Sequence, residues 1–284
     1  MELREINLDE WTPLGEGGNG KTYVNSQEPD RVLKVNRPGL NSLEAVGREY
    51  EVSRAVNAMG VSSPAMHEMV KVGEAYATVS ELVRNKKSLA RICADAPSRI
   101  GEMARLLASE GLKMHSTPCD TSFFPSRRQQ LSKAFEKVRF IGRRCRSALK
   151  AFAETIPDAT TCVHGDFNMG NLILSGDKPY WIDLDRFAYG NPMFDIGHFY
   201  MICRVYAPMR QVQDIFHLTE AQLGLFWDAF AKAYTGKEDH ADFDRSAARF
   251  ACLTVVLRYI FREPSFLEKF FFAFNIRRLY KTMF

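Results

Sequence analysis

The chain has 284 residues, of which 46% are hydrophobic and 25% charged, and its formal net charge is +4 at pH 7. This composition is ordinary for a globular protein and suits two modest lobes or one large domain. So small a charge does not by itself indicate nucleic acid, which needs basic residues gathered on one face. The six cysteines are scattered without a CxxC pair, so neither a zinc site nor a disulfide framework is predicted.

The amino terminus carries charges from the second residue and lacks the apolar core of a signal peptide. No window approaches the ~18 uninterrupted apolar residues of a spanning helix. We therefore expect a cytoplasmic protein with no transmembrane segment and no nucleic-acid partner.

A glycine-rich segment lies near the start of the chain. Residues 15–20 read Gly-Glu-Gly-Gly-Asn-Gly, which fits G-x-G-x-x-G, a weak signal on its own. A dinucleotide-binding unit would open a helix there, whereas strand-like runs follow at 21–24 and 32–35. The segment is either a plain glycine hairpin or a flap whose backbone amides cover a triphosphate.

A lysine and a glutamate outside this flap are predicted to form an ion pair. Lys34 lies within the second strand-like run, and a helix follows from a cap at Asn41 to a stop near Gly60. On that helix Glu49 falls on the inward apolar stripe, whereas Glu44 falls on a solvated face. A carboxylate among apolar neighbours needs a partner, and Lys34 is the best candidate. The alternatives are an edge-strand lysine and an exposed Glu49.

A change of composition marks the predicted domain boundary. Residues 75–80 form a strand-like run that continues into Glu81, Leu82 and Val83. The chain is strand-rich before this point and helix-rich after it. We therefore expect an amino-terminal lobe of residues 1–83 and a carboxyl-terminal lobe of residues 84–284.

The second part shows helical periodicity at 100–115 and from 196 onward. Residues 127–150 hold nine Lys or Arg and one acid on an amphipathic helical pattern. This segment is either a solvated face or a rim that attracts an anionic substrate or membrane surface. The phenylalanine-rich segment 266–274 indicates either a buried terminal helix or an interfacial anchor.

The most informative segment is His-Gly-Asp-Phe-Asn-Met-Gly-Asn at 164–171, which follows a short strand. Strand-like runs at 172–174 and 180–182 flank a turn and form a hairpin that ends at Asp183. This hairpin would return Asp183 toward Asp166 and Asn171. Phosphoryl transfer from ATP needs such groups, namely an acceptor for a hydroxyl proton and hard oxygen ligands for magnesium.

The motif His164-x-Asp166-x-x-x-x-Asn171, with Ile182-Asp183 and Gly190-Asn191-Pro192-x-x-Asp195, resembles the aminoglycoside phosphotransferase and choline kinase group. These are small-molecule kinases with the protein-kinase-like fold, and the resemblance covers about residues 10–200. It implies an α+β, bilobal architecture. A small antiparallel sheet with one main helix would form the amino-terminal lobe, and a larger, mainly helical lobe would follow.

The resemblance also implies roles around the catalytic loop. Asp166 resembles the catalytic base, and Asn171 and Asp183 resemble ligands of Mg²⁺. Asp185 stands where some relatives carry a second acid, so it is predicted to contact metal as well. His164 and Asp195 resemble residues that hold the catalytic loop in place.

For ATP, the resemblance implies that Lys34 holds the α- and β-phosphates while paired with Glu49. The backbone from Glu81 to Val83 would contact adenine. The glycines that would cover the phosphates are Gly15, Gly17, Gly18 and Gly20.

Departures of this sequence from the protein-kinase pattern narrow the class of substrate. Gly165 stands where regulated protein kinases carry an arginine, and only eleven residues separate Asp183 from Asp195, which leaves no room for a long activation segment. The basic segment 127–150 also contrasts with the acid-rich pockets of antibiotic-modifying members. We expect an ATP- and Mg²⁺-dependent kinase for the hydroxyl of an amino-sugar, sugar, choline-like or homoserine-like acceptor. The alternatives are a nucleotide-binding pseudokinase and an atypical protein Ser/Thr kinase.

Overall fold

The computed structural model describes residues 3–17, 20–261 and 265–283. The chain forms two compact units. The first unit comprises Met1–Lys87 and Ile173–Asp185, and the second unit comprises Ser88–Leu172 and Arg186–Phe284.

The first unit is built on a six-stranded sheet. Its order is β1-β5-β6-β4-β3-β2, with β1 and β5 parallel and the other neighbours antiparallel. Alternation along β4 and β6 buries Leu33, Ala77 and Val79 completely on one face. The strands are β1 (Arg4–Glu5), β2 (Thr12–Gly17), β3 (Gly20–Asn25), β4 (Glu28–Asn36), β5 (Met66–Val72) and β6 (Ala75–Glu81).

The main helix of this unit, α1 (Leu43–Ala58), packs on β5 and β6. The prediction that Asn41 caps it is wrong, because Ser42 accepts the Ala45 amide and is the cap. Asn41 is engaged instead by β6, donating to the Tyr76 carbonyl and accepting from its amide. Gly60 follows the helix at φ +84°, as its predicted stop requires.

The remaining strands are short: β7 (Lys87–Ser88), β8 (Cys162–Val163), β9 (Leu172–Ser175), β10 (Lys178–Trp181) and β11 (Ala188–Tyr189). The hairpin of β9 and β10 belongs to the first unit. The Trp181 amide donates to the Ser62 carbonyl at 2.8 Å, and the Tyr180 hydroxyl donates to Glu81 at 2.6 Å. The division therefore differs from the predicted one at residue 83, since a single cut in the sequence cannot assign a segment that returns.

The second unit is helical. Its helix α9 is buried over most of its surface and packs against α4, α6 and α10, while β8 and β11 form a two-stranded antiparallel sheet. The helices are α2 (Leu89–Asp95), α3 (Ile100–Ser116), α4 (Arg127–Lys137), α5 (Arg143–Thr155), α6 (Met193–Tyr200), α7 (Arg210–Phe216), α8 (Glu220–Thr235), α9 (Ala241–Phe261) and α10 (Phe266–Met283).

The basic segment 127–150 forms two helices, α4 and α5, where the sequence predicted one. The chain breaks between them at Gly142, which has φ +91°. The apolar positions predicted to face inward are buried, Leu131 and Phe135 among them. Arg127 is not part of a solvated face, because it is only 2% exposed.

The phenylalanine-rich segment forms α10, which is buried on one side only. Phe272 and Ile276 are buried, whereas Phe270 and Phe274 are 63% and 64% exposed. The interpretation of this segment as a buried terminal helix is therefore wrong for its exposed side. None of the helices in the described ranges combines the length and apolarity that crossing a membrane requires. The predicted α+β fold, with an amino-terminal sheet carrying one main helix and a helical remainder, is confirmed.

Candidate active site

The loop that follows β8 is held by the carboxylate of Asp195. Asp195 is completely buried and accepts the backbone amides of His164 and Gly165 at 2.6 and 2.8 Å. Its Oδ2 also lies 3.1 Å from Nε2 of His115, and because a carboxylate only accepts, this nitrogen carries the proton. The loop is thus fixed through its own backbone.

Asp195 is ionised despite this burial. Burial acts to raise its pKa, but the His115 hydrogen bond and the charges of His115, His164 and Arg127 outweigh it, so the pKa is lowered. Asp195 was expected to hold the catalytic loop, and these contacts fit that role. The contribution of His115 was not predicted, since it comes from α3, which is distant in the sequence.

Gly165 lies where the loop meets a buried arginine. Its φ is +83°, and a Cβ placed there would overlap the Arg127 guanidinium and the Arg186 carbonyl. Arg127 itself donates to that carbonyl at 2.6 Å. The position that holds arginine in regulated protein kinases is thus closed to any side chain by an arginine from α4.

Gly165→Ala is expected to lower the free energy of unfolding by roughly 2–5 kcal/mol. Left-handed backbone costs an alanine ~1–2 kcal/mol, and overpacking adds ~1–3 kcal/mol. The matched control is Gly236→Ala, where φ is +67° and nothing lies near the added Cβ, so only the backbone cost applies. Urea denaturation measures both, and equal losses in the two variants would contradict the predicted overlap.

The carboxylate of Asp166 is fixed by two basic side chains. Its Oδ1 lies 2.9 Å from His198 Nε2 and 3.7 Å from Arg186 Nη1, and the side chain is 29% exposed. Burial acts to raise the pKa of Asp166. The hydrogen bond from His198, with the charges of His198, Arg186 and His164, outweighs burial and lowers the pKa. Asp166 is therefore a charged hydrogen-bond acceptor with a defined orientation.

Two asparagines complete the turn after Asp166. The side-chain amides of Asn168 and Asn171 both donate to the Asp166 carbonyl at 2.8 Å. This bond assigns the NH₂ group of Asn171 to the backbone, so its Oδ1 is the atom that remains for a ligand. Asp166, Asn168, Asn171 and His198 line one cavity of about 1010 Å³ within the second unit.

In the first unit, Lys34 and Glu49 form the predicted ion pair. Lys34 Nζ lies 2.6 Å from Glu49 Oε1, and Asn36 Nδ2 donates to the other carboxylate oxygen at 3.1 Å. The two side chains are 28% and 32% exposed. The inward helical stripe that selected Glu49 over Glu44 thus identified the right partner.

The glycine-rich segment contributes to two strands, β2 and β3, which pair antiparallel with Gly17 opposite Gly20. Gly15 accepts from the Thr22 hydroxyl at 3.1 Å. A Cβ on Gly20 would overlap the Val35 carbonyl, so this position requires glycine. Gly18 lies outside the described residues. A helix does not follow the glycines, so the dinucleotide-binding interpretation does not apply.

The segment predicted to contact adenine, Glu81 to Val83, begins at the last residue of β6. The Glu81 amide donates to the Ala65 carbonyl at 2.8 Å, so the backbone group of Glu81 predicted to contact adenine is its carbonyl. The Glu81 carboxylate is engaged by Tyr180. Val83 is 8% exposed and packs with Ile173 and Tyr180. The contact of this segment with adenine stays a prediction.

Asp183 and Asp185 follow β10 in the first unit and are both exposed. Asp183 has φ +57°, a left-handed conformation that is costly outside glycine and that collects at functional sites. Sequence patterns gave no sign of this strain. Within the described ranges, no three His, Cys, Asp or Glu side chains gather as a ready-made metal site.

His198 and Arg186 are site residues that sequence analysis missed. His198 lies three residues after Asp195, inside the apolar run of α6, and is 3% exposed. A polar residue at such a position is the one signal that points to it, since buried polar groups need partners. Arg186 directly follows Asp185 and carries no distinguishing pattern.

Residues 10–232 match the phosphotransferase enzyme family APH. No curated protein matches the chain.

Solved structures share the fold over almost the whole chain. A thermostable mutant of aminoglycoside phosphotransferase APH(4)-Ia, in a ternary complex with ADP and hygromycin B, is 12% identical with a TM-score of 0.61, covering 96% of this chain and 93% of that one. The ADP-bound aminoglycoside phosphotransferase APH(2'')-Ib is 14% identical with a TM-score of 0.58, covering 96% and 92%. A choline/ethanolamine kinase family protein from Mesorhizobium loti is 16% identical with a TM-score of 0.57, covering 96% and 87%.

Proposed function

Because the chain belongs to the phosphotransferase enzyme family APH, we propose that it transfers the γ-phosphate of ATP to a hydroxyl of a small molecule. The observation that carries this proposal is the Asp166 carboxylate, held charged at the wall of a cavity by His198 and Arg186. Among the solved structures of this fold, APH(4)-Ia binds ADP and hygromycin B, and APH(2'')-Ib binds ADP.

Asp166 acts as the catalytic base in this proposal. Its oxygen accepts the hydrogen bond of the acceptor hydroxyl and orients the hydroxyl oxygen for in-line attack on the γ-phosphorus. The lowered pKa of Asp166 keeps the carboxylate ionised at neutral pH, so that it can accept this hydrogen bond. His198, which holds the other side of the carboxylate, keeps Asp166 from rotating away from the acceptor.

Asn171 and Asp183 are proposed as the ligands of Mg²⁺, with Asp185 as a further contact. An amide oxygen and carboxylates are the hard donors that Mg²⁺ takes alongside phosphate oxygens and water. The Asn171 NH₂ group is engaged by the Asp166 carbonyl, which presents the oxygen. When bound, the metal neutralises charge on the phosphates.

Lys34, paired with Glu49, is proposed to hold the α- and β-phosphates. The ion pair at 2.6 Å fixes the position of the ammonium group. The amides of the β2–β3 hairpin, at Gly15, Gly17, Gly18 and Gly20, would cover the phosphates. The Glu81 carbonyl and the Val83 amide would contact adenine.

The proposal is tested by screening hydroxyl compounds for ADP release that requires Mg²⁺, with Asp183→Ala as the blank. The screen includes amino-sugars, sugars, choline and homoserine. We expect at least one acceptor to raise ADP release, and we expect Asp183→Ala to abolish this increase. The matched control is Asp177→Ala, which removes an exposed acid from the turn of the same hairpin and should leave the rate unchanged.

Two results would overturn the proposal. Tight ATP binding without ADP release from any compound in a broad screen would indicate a nucleotide-binding pseudokinase. Phosphate incorporation into generic protein substrates, but into none of the small molecules, would indicate a protein kinase.

A further inference from the structure

The cavity beside Asp166 has a mixed lining, with eight apolar side chains and the Tyr206 ring among its twenty described lining residues. It belongs wholly to the second unit and measures about 1010 Å³, enough for a drug-sized molecule. Beyond the catalytic loop, four aromatic rings and five other apolar side chains lie in its wall. The apolar lining residues are Ala90, Ile202, Met209, Val212, Ile215, Phe216, Phe271 and Phe272, with the ring of Tyr206.

The charges in this wall do not suit a polycation. In the described part of the lining, the carboxylates are Asp166 and Glu268, and two arginines, Arg91 and Arg258, lie in the same wall. Glu268 accepts the Ser265 amide at 2.7 Å, as a residue at a helix start does. An acceptor with several ammonium groups needs several carboxylates to replace its lost hydration. The described part of this wall does not supply them.

The apolar lining continues onto the surface of α10. Phe271 lines the cavity and is 37% exposed, and Phe274, one turn further along the helix, is 64% exposed. Large apolar side chains that are exposed close together are typical of binding surfaces. An acceptor with an extended apolar part would cover both rings.

One polar group in the wall has no partner in the described part of the chain. Tyr206 is 5% exposed, and its hydroxyl makes no hydrogen bond there. Less than 1 Å² of this hydroxyl is accessible, so a molecule in the cavity contacts the Tyr206 ring rather than its hydroxyl.

We propose that the phosphate acceptor is an uncharged alcohol attached to an apolar body, such as an alkyl chain or an aromatic ring. This inference rests on the proposed function for the place of the reacting hydroxyl, next to Asp166. The apolar body lies against Met209, Ile215 and Phe271. The inference excludes polycationic amino-sugars as the preferred acceptor.

The test measures binding along a series that changes only the apolar part. Methyl, butyl and hexyl β-D-glucoside are titrated calorimetrically into the full chain with Mg²⁺ and AMP-PNP, and kanamycin is titrated in parallel. We expect affinity to rise up to about fourfold for each methylene that the cavity buries. We also expect kanamycin to bind more weakly than butyl β-D-glucoside. An affinity that is flat along the series, or kanamycin as the tightest ligand, would overturn the inference.

Two variants locate the alkyl chain. Ile215 lines the cavity and is 62% exposed, so Ile215→Asp places a charge in the wall without burying it in a core. Leu225 is 60% exposed on α8 and is not among the lining residues, so Leu225→Asp is the matched control. We expect Ile215→Asp to reduce the methyl-to-butyl gain about threefold or more and Leu225→Asp to retain it. The same gain in Ile215→Asp as in the unmodified chain would overturn the placement.

Binding and turnover separate this inference from the proposed function. Kanamycin-dependent ADP release combined with a flat glucoside series would refute the apolar acceptor and leave phosphotransfer standing. Absence of ADP release with every alcohol, while nucleotide still binds, would count against phosphotransfer itself and, with it, against any acceptor.

Discussion

Asp166→Asn is expected to lower kcat roughly 10²–10⁴-fold, the usual contribution of a positioned general base, while nucleotide affinity changes little. Asparagine keeps the size of the side chain and its carbonyl oxygen, but it cannot take the proton of the acceptor hydroxyl. The backbone carbonyl of residue 166 still accepts Asn168 and Asn171, so the loop should keep its shape. Steady-state kinetics with the best acceptor, together with nucleotide titration, measures both quantities.

The control for this variant is Asp177→Asn, which makes the same chemical change at an exposed position in the β9–β10 turn. Its kcat should equal that of the unmodified chain. A kcat for Asp166→Asn within experimental error of the control would remove Asp166 from the mechanism. A loss of nucleotide binding that parallels the loss of kcat would indicate instead that the loop depends on the carboxylate for its structure.

The parts of the site that lie on regular elements could be predicted from sequence. The 3.6-residue period of α1 distinguished Glu49 from Glu44, and Lys34 was the best candidate for its partner; the two side chains meet at 2.6 Å. Likewise, the strand-like runs that follow the glycines distinguished a hairpin from a strand–helix turn. In each case a local backbone period fixes the direction of the side chain.

The partners of the charged loop could not be predicted in the same way. His115 reaches Asp195 from α3, Arg127 reaches the Arg186 carbonyl from α4, and His198 reaches Asp166 from α6. These contacts depend on how helices pack, which no local period encodes. The family motif identifies the carboxylates, and the structure is needed to show what keeps them charged.

The assignment of the β9–β10 hairpin to the first unit escaped prediction for a related reason. The β9–β10 hairpin lies beyond residue 170 in sequence, yet Ser62 and Glu81 bind it to the first unit. The left-handed backbone of Asp183 likewise has no sequence signature, because aspartate is common in ordinary turns. In phosphoryl transfer the protein contributes chiefly position and charge, so the features that sequence analysis missed are those that set both.

Asp195→Asn is expected to cost about 3–5 kcal/mol of unfolding free energy at pH 7, the range for removing one member of a buried charged network. The carboxylate accepts the His164 and Gly165 amides with separate oxygens. Asparagine has a single oxygen, so one of these buried amides would face an NH₂ group and lose its acceptor. If the asparagine oxygen accepted the Gly165 amide instead, the His164 amide and His115 would both lose their acceptor.

The pH dependence of this loss follows from the lowered pKa of Asp195, whose ordinary value is 3.8. A carboxylate with a lowered folded-state pKa stabilises the protein fully above its unfolded-state pKa, and this stabilisation disappears as pH falls through the folded-state value. The difference in unfolding free energy between the unmodified chain and Asp195→Asn should therefore be constant near neutrality and shrink below about pH 4. Urea denaturation across this range measures it.

Asp242→Asn is the matched control for this prediction. Asp242 lies in the same unit, its side chain is 93% exposed, and its partner is the surface residue Arg245. Exposed ion pairs contribute little because water and salt screen them, so this variant should unfold like the unmodified chain at every pH. If Asp195→Asn were as stable as the control near neutrality, the buried carboxylate would not hold the catalytic loop. If its loss of stability grew as pH fell, Asp195 would be protonated rather than charged in the folded protein.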